Sequence, residues 1–307
     1  MKILITGGLG HLGGRLAVHL SKKGHQITLA TKKEVSPPKW LPNCKVIQLN
    51  LSNEEQLTHA FSDIDQIIHA AGKNSADCSK DPVSALEVNA LLTTKIAFAA
   101  SKAFVKRFVY LSTIHVYSNN LEGIITEEDR TTNTHPYGTS KLAGEKALMG
   151  INSSSKMECL ILRLSNLVGP PVHKNVNTWN LITNQICLKI IKKQKIILTK
   201  PFSRRDFLSI SAFEEFISNS LEKKFQSPII NICSGKSFSI SEISVFLQHI
   251  AIENYKYKKD HDNYHNNIKK NKNSFLKIES TNPYPITKNN LNNELKLLLD
   301  FCYEHFT

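Results

Sequence analysis

The sequence predicts an α/β protein: a doubly wound parallel sheet carrying a smaller C-terminal cap. Three observations lead there. Short apolar runs alternate with stretches of helical length through the first half of the chain. The first of those runs ends in a glycine-rich loop. The 307 residues, 41% of them hydrophobic, suffice for one large domain or two interlocked ones.

The elements follow in order. "KILITGG" (2–8) is an apolar run closing on glycine, the pattern of a buried parallel strand. "GRLAVHLSKKGH" (14–25) reads as a helix capped at Gly24. "QITLAT" (26–31) and "KVIQLNL" (45–51) are the second and third strands, "EEQLTHAF" (54–61) a helix, and "DQIIHAAG" (65–72) the fourth strand. A long helix spans "DPVSALEVNALLTTKIAFAASKA" (81–103), and "RFVYLSTIHVYS" (107–118) is the fifth strand. Such alternation predicts parallel strands with helices on both faces. A further helix begins at "HPYGTSKLAGEKAL" (135–148), with Tyr137 and Lys141 on one face, one turn apart.

The loop "TGGLGHLGG" (6–14) fits both Gly7-x-x-Gly10-x-x-Gly13 and Gly8-x-Gly10-x-x-Gly13. Glycines there permit a tight turn and let the backbone approach a pyrophosphate facing the helix N-terminus. Gly7, Gly10, His11, Leu12 and Gly13 are therefore expected at a dinucleotide, in an NAD(P)-binding Rossmann-type layer. An acid at the end of the second strand would hold the ribose 2′-hydroxyl of NAD. This strand ends at Thr31, followed by Lys32 and Lys33, so NADP is expected, with NAD possible; Glu34 is the competing feature.

Other classes fit poorly. No uninterrupted apolar run approaches the roughly 18 residues of a membrane span, so no membrane partner is expected. "MKILITGG" enters strand-like sequence at once and leaves no room for a signal peptide, which points to the cytoplasm. Six scattered cysteines without a C-x-x-C pair suit free thiols, with no metal site. The formal charge of +13 owes much to the Lys/Asn-rich stretch 253–277. That stretch lacks the arginines of a nucleic-acid arm and reads as a solvated, mobile insertion.

Taken in chain order, "TGGLGHLGG", "IIHAAG", "DPVSALEVNA", "RFVYLSTIHVYS", "PYGTSKLAGE", "LRLSNLVGPP", "RRDFLSI" and "INICSGKSFSISEI" resemble the extended short-chain dehydrogenase/reductase family. This is the group of nucleotide-sugar epimerases, dehydratases and ketoreductases. The resemblance spans nearly all of residues 1–235. It implies that Tyr137 is the catalytic acid/base, that Lys141 activates it, and that Thr113 hydrogen-bonds the reacting oxygen, with Ser112 as the alternative. It places Asn50 and Leu51 around the adenine, and Ala70, Ala71, Gly72 and Leu111 along the cofactor. Asn89 matches a hydrogen-bonding helix position, Leu164 and Ser165 line the nicotinamide side, and Arg163 is structural. Asn166 and Arg205 match contacts to a substrate diphosphate, with Arg204 a weaker candidate and an ion pair with Asp206 the competing role.

A dehydratase of this family would carry an Asp-Glu pair after the threonine, where this chain has Ile114 and His115. His115 itself reads as a packing or solvent-facing residue. The resemblance thus implies an epimerase or 4-ketoreductase acting on a nucleotide-diphosphate sugar, in polysaccharide or glycoconjugate precursor synthesis. A family reductase for a non-sugar carbonyl and a non-catalytic NADP-binding regulator are the alternatives. Residues 1–165, with about 202–235, are expected in the cofactor layer. Residues 166–201 and 236–307 are expected in the substrate-binding cap. Dimerisation is usual in the family.

Overall fold

A computed structural model describes residues 1–32, 34–255, 257, 275–282, 286 and 289–307. Its first half runs β1 (Lys2–Thr6), α1 (His11–Lys22), β2 (Gln26–Thr31), β3 (Lys45–Gln48), α2 (Glu54–Phe61), β4 (Gln66–His69), α3 (Ser75–Lys80), α4 (Pro82–Leu86), a π-helical turn (Glu87–Leu92), α5 (Thr93–Lys102) and β5 (Arg107–Thr113). A 3-10 turn (Ile114–Val116), β6 (Gly123–Ile125), α6 (Pro136–Ser154), β7 (Glu158–Leu164), β8 (Asn166–Val168) and α7 (Ile182–Ile191) follow. Last come β9 (Arg204–Ser209), α8 (Ile210–Ser220), β10 (Ile229–Ile232), β11 (Ser237–Ser239), α9 (Ile240–Tyr255), β12 (Leu276–Ile278) and α10 (Leu291–Phe306).

Seven strands form one sheet in the order β3-β2-β1-β4-β5-β7-β10, all parallel. Strand alternation divides their side chains between two cores. Ile3, Ile5, Val109 and Leu111 join Leu16, Leu20 and Phe213 from α1 and α8. Leu4, Phe108, Tyr110 and Ile161 join Leu57, Ile96 and Leu148 from α2, α5 and α6 on the other face. A third cluster packs β8, α7, β9, α9 and α10 together through Val168, Ile186, Phe207, Leu247 and Leu298.

Three expectations need adjustment. The strand expected near 202–210 is β9, which does not join the large sheet. It pairs with β8 and β11, because β10 already occupies the free edge of β7. The fifth strand stops at Thr113, whose side chain accepts the His115 N–H and turns the chain into the 3-10 turn. The long helix 81–103 is present as Pro82–Lys102 but contains the π turn at its centre. By length and composition that helix could cross a membrane, yet Ile96, Ala97, Ala99 and Ala100 bury it against the sheet. Of the stretch 253–277, residues 256 and 258–274 lie outside the described residues. The six cysteines are free thiols, and no group of three metal-ligating side chains occurs among the described residues.

Helix α6 is fixed by a buried ion pair. Arg163 on β7 meets the Glu145 carboxylate at 2.7 Å, both side chains almost fully enclosed. Ser112 donates to the same carboxylate. Removing one partner leaves an uncompensated buried charge, which typically costs about 3–5 kcal/mol. Glu145→Ala should therefore shift the urea midpoint to much lower concentration, and an unchanged midpoint would show that the pair does not hold α6.

Candidate active site

Gly7 adopts φ +66°, a left-handed conformation that suits glycine. A Cβ on Gly7 would lie 2.7 Å from the Ala71 nitrogen, and one on Gly13 2.3 Å from the Gly7 oxygen. The loop, the start of α1 and the Ala70–Gly72 segment therefore touch backbone to backbone. Gly10 is the N-cap of α1, with no side-chain cap and no acid in the first turn. The first-turn amides of His11, Leu12 and Gly13 remain for an anion. This bare cradle fits a dinucleotide pyrophosphate.

The His11 side chain does something else. Its Nε2 donates to the Gly169 carbonyl at 3.0 Å, and its Nδ1 accepts from Thr178 Oγ1 at 2.9 Å. Burial pushes its pKa down to about 4, so the ring is a neutral tie between the loop and the segment after β8. Only its backbone is left for a phosphate. Leu12 packs on the core of the α1 face.

At the end of β2, Thr31 is half-buried and Lys32 exposed, while Lys33 lies outside the described residues. Glu34 follows beyond the strand, exposed. Asn50 spends its side chain locally: Oδ1 accepts from Ser52 N and Nδ2 donates to Gln56. Leu51 packs against the other core.

The centre of the crevice lies at the C-terminal ends of β4 and β5. Lys141 Nζ donates to the Leu111 carbonyl at 2.9 Å and lies 4.7 Å from the Tyr110 ring centroid. A Cβ on Gly72 would come within 3.1 Å of that Nζ and 2.9 Å of Asn89 Oδ1. Asn89 sits in the π turn, where its amide bridges Lys73 N and Ser140 Oγ. The Tyr137 phenol lies beside Thr113, close enough for the threonine to favour the phenolate. Thr113, Tyr137, Lys141, Asn89 and Gly72 thus come together at the ends of these strands.

Ser112 does not join them. Consecutive strand residues face opposite sides, and Ser112 turns back to Glu145 while Thr113 faces Tyr137. Burial pushes the Tyr137 pKa up to about 12 and pushes that of Lys141 down to about 8. Desolvation is the largest influence on each group, opposed by Thr113 at the phenol and by Cys78 and Glu145 at the lysine.

On the far side of the crevice, Arg204 is engaged with Ser237 and Glu242. Asp206 accepts from Ser234 N and Oγ and makes no ion pair among the described residues. Arg205 is half-buried without an ion-pair or hydrogen-bond partner among the described residues, and burial lowers its pKa. Of the two adjacent arginines, Arg205 is therefore the one left for a ligand. Asn166 donates Nδ2 to the Asp206 carbonyl at 3.1 Å, which leaves its Oδ1 for another partner. Leu164 and Ser165 are buried at the end of β7.

Sequence reasoning missed two supports. Glu145 lies one further turn along the Tyr137–Lys141 face of α6, a period that could have flagged it. His69 joins Thr6 to Thr93 through its two ring nitrogens beneath the site, and burial pushes its pKa down to about 3. No short-range signal marks that contact.

Residues 3–233 match the model of the NAD dependent epimerase/dehydratase family. A UDP-glucose 4-epimerase from Halalkalibacterium halodurans is 25% identical, over 79% of this chain and 78% of its own. A dTDP-D-glucose 4,6-dehydratase from Dictyostelium discoideum is 27% identical, over 80% of this chain and 60% of its own. Among solved structures, the Thermotoga maritima UDP-glucose 4-epimerase with UDP-glucose superposes with a TM-score of 0.83, at 18% identity and full coverage of both chains. The Thermus thermophilus UDP-glucose 4-epimerase complex with NAD gives 0.77, at 17% identity and full coverage of both.

Lys141 supplies a prediction with a definite sign. Its folded pKa lies below its unfolded value of roughly 10.4, so the buried ammonium opposes folding at neutral pH. That penalty is full below about 8 and fades as pH rises toward the unfolded value. Lys141→Met should be at least as stable as the parent at pH 7 in urea titrations, with an advantage that shrinks by pH 10. A clearly less stable variant at pH 7 would contradict the desolvation account.

Proposed function

We propose, since the chain belongs to the NAD-dependent epimerase/dehydratase family, that it is an NAD(P)-dependent nucleotide-sugar epimerase or 4-ketoreductase serving polysaccharide or glycoconjugate precursor synthesis. The observation that carries this reading is the meeting of the Tyr137 hydroxyl with Thr113, with Lys141 one turn away beside Gly72. When bound, a nicotinamide accepts and returns a hydride. Tyr137 takes or gives the proton of the reacting hydroxyl, and Thr113 holds that oxygen in line. The Lys141 ammonium stabilises the phenolate that results. Arg205 clamps the diphosphate, a role that suits a guanidinium's paired donors, and the free Oδ1 of Asn166 lies on the neighbouring strand.

Elimination of water fits poorly. Ile114 is fully buried in an apolar cluster, and His115 replaces the second carboxylate. That favours epimerase or ketoreductase chemistry over dehydration, although curated relatives include both kinds.

For the cofactor, Lys32 at the end of β2 favours the 2′-phosphate of NADP, while solved neighbours hold NAD. Fluorescence titration should give the tighter Kd for NADP; tighter NAD would overturn that preference. Activity on a panel of UDP-, GDP- and dTDP-sugars tests the reaction. Tyr137→Phe should lose at least about 10²-fold in kcat with little change in cofactor affinity. Arg205→Ala should raise KM far more than it lowers kcat. Full activity of the phenylalanine variant, or an unchanged KM in the alanine variant, would refute the corresponding role.

A further inference from the structure

We infer that His115 is a specificity residue: its imidazole hydrogen-bonds a hydroxyl of the glycosyl ring held between the Arg205 guanidinium and the Tyr137 phenol. The inference rests on the nucleotide-sugar reading above and names the part of the substrate that this side chain reads.

The backbone of His115 is fixed from both sides. Its N–H donates to Thr113 Oγ1 at 3.2 Å, the hydroxyl that also meets Tyr137. Its carbonyl accepts Asn133 Nδ2, and a Cβ on Gly138, next to Tyr137, would lie 2.6 Å from that carbonyl. Its neighbours Ile114 and Val116 are buried with Tyr117, Ile125 and Leu276. The ring of His115 is left half-buried near Arg205, and neither nitrogen has a hydrogen-bond partner among the described residues.

The surroundings set the form of the ring. Burial disfavours its protonated state most, and nearby Arg205 and His135 add to that, so its pKa falls to about 4. His135 is itself occupied, accepting Tyr137 N at Nδ1 and meeting Ser79 Oγ at Nε2. A neutral imidazole presents one donor and one acceptor, which matches a hydroxyl group. It does not neutralise Arg205, as a carboxylate at the same place would, so the guanidinium stays available for its anion. The same influences make the ring a weak base, which leaves proton transfer to Tyr137.

Calorimetry on the protein loaded with whichever of NADP and NAD binds tighter tests this, with UDP and UDP-glucose as probes against the parent, His115→Ala and His115→Asn. UDP lacks the glycosyl ring and should bind all three alike. UDP-glucose should bind the parent more tightly than UDP does. It should bind the alanine variant about tenfold more weakly than the parent, the size of one lost neutral hydrogen bond. The asparagine variant, which keeps a donor and an acceptor, should recover part of that loss. In steady state the alanine variant should show KM raised about tenfold with kcat within about twofold. Equal affinity of parent and alanine variant for UDP-glucose overturns the inference, as does a parallel loss of UDP affinity, which would mark a structural role. UDP-glucose binding the parent no tighter than UDP also overturns it. A parent that binds neither probe overturns the UDP-sugar reading beneath it.

Discussion

Helix α6 reaches the sheet because residue 144 has no side chain. A Cβ there would lie 2.6 Å from the Asn89 carbonyl oxygen and 2.9 Å from the Tyr110 hydroxyl. With only hydrogen at that point, α6 closes on the π turn and on β5 together. One turn before Gly144, Ser140 accepts from Asn89 Nδ2, and one residue after it Glu145 meets Arg163. These three contacts set both the rotation and the height of the helix. Tyr137 and Lys141 occupy the face that results, so their delivery to the ends of β4 and β5 follows from packing some distance away. The π turn takes part in the same contact: the Asn89 carbonyl accepts from both Tyr110 and Thr93, each at 3.0 Å.

That close packing has an electrostatic consequence. With water excluded, the phenol resists ionisation and the lysine amine resists protonation. The support given to Lys141 consists of one carbonyl, one aromatic face and, at greater range, the Glu145 carboxylate. Each group is costly to charge by itself, so the ionised pair is favoured only when both charges, or a further cation, are present together. On the function proposed above, poising the phenol near neutral pH would be a property of the loaded site, with the folded chain supplying the geometry.

Much of this was legible in residues close in sequence. The glycine spacing, the alternation of strands and helices, and the Tyr137–Lys141 period all report local backbone geometry. Five of the main-sheet strands were found in the first half of the chain for that reason. What escaped depends on contacts between distant segments. Nothing near His11 shows that Gly169 and Thr178 will take its imidazole. Nothing in "RRDFLSI" shows that β10 will claim the edge of β7 and send β9 to another sheet. The choice between Ser112 and Thr113 was open because alternation fixes that they face opposite ways without saying which faces the crevice.

The neighbouring arginines of β9 show the same limit and also how the structure resolves it. Arg204 and Asp206 point to one side of the strand, where β11 and its flanking residues satisfy both: Ser237 and Glu242 take the guanidinium, and Ser234 donates to the carboxylate. Arg205 lies between them on the other side, and its two natural counter-charges are therefore already committed or turned away. Desolvating a guanidinium without a partner costs free energy in the protein alone. On the function proposed above, an incoming diphosphate would offset that cost only when it binds, so the strand holds its one uncompensated cation where an anion gains most from meeting it.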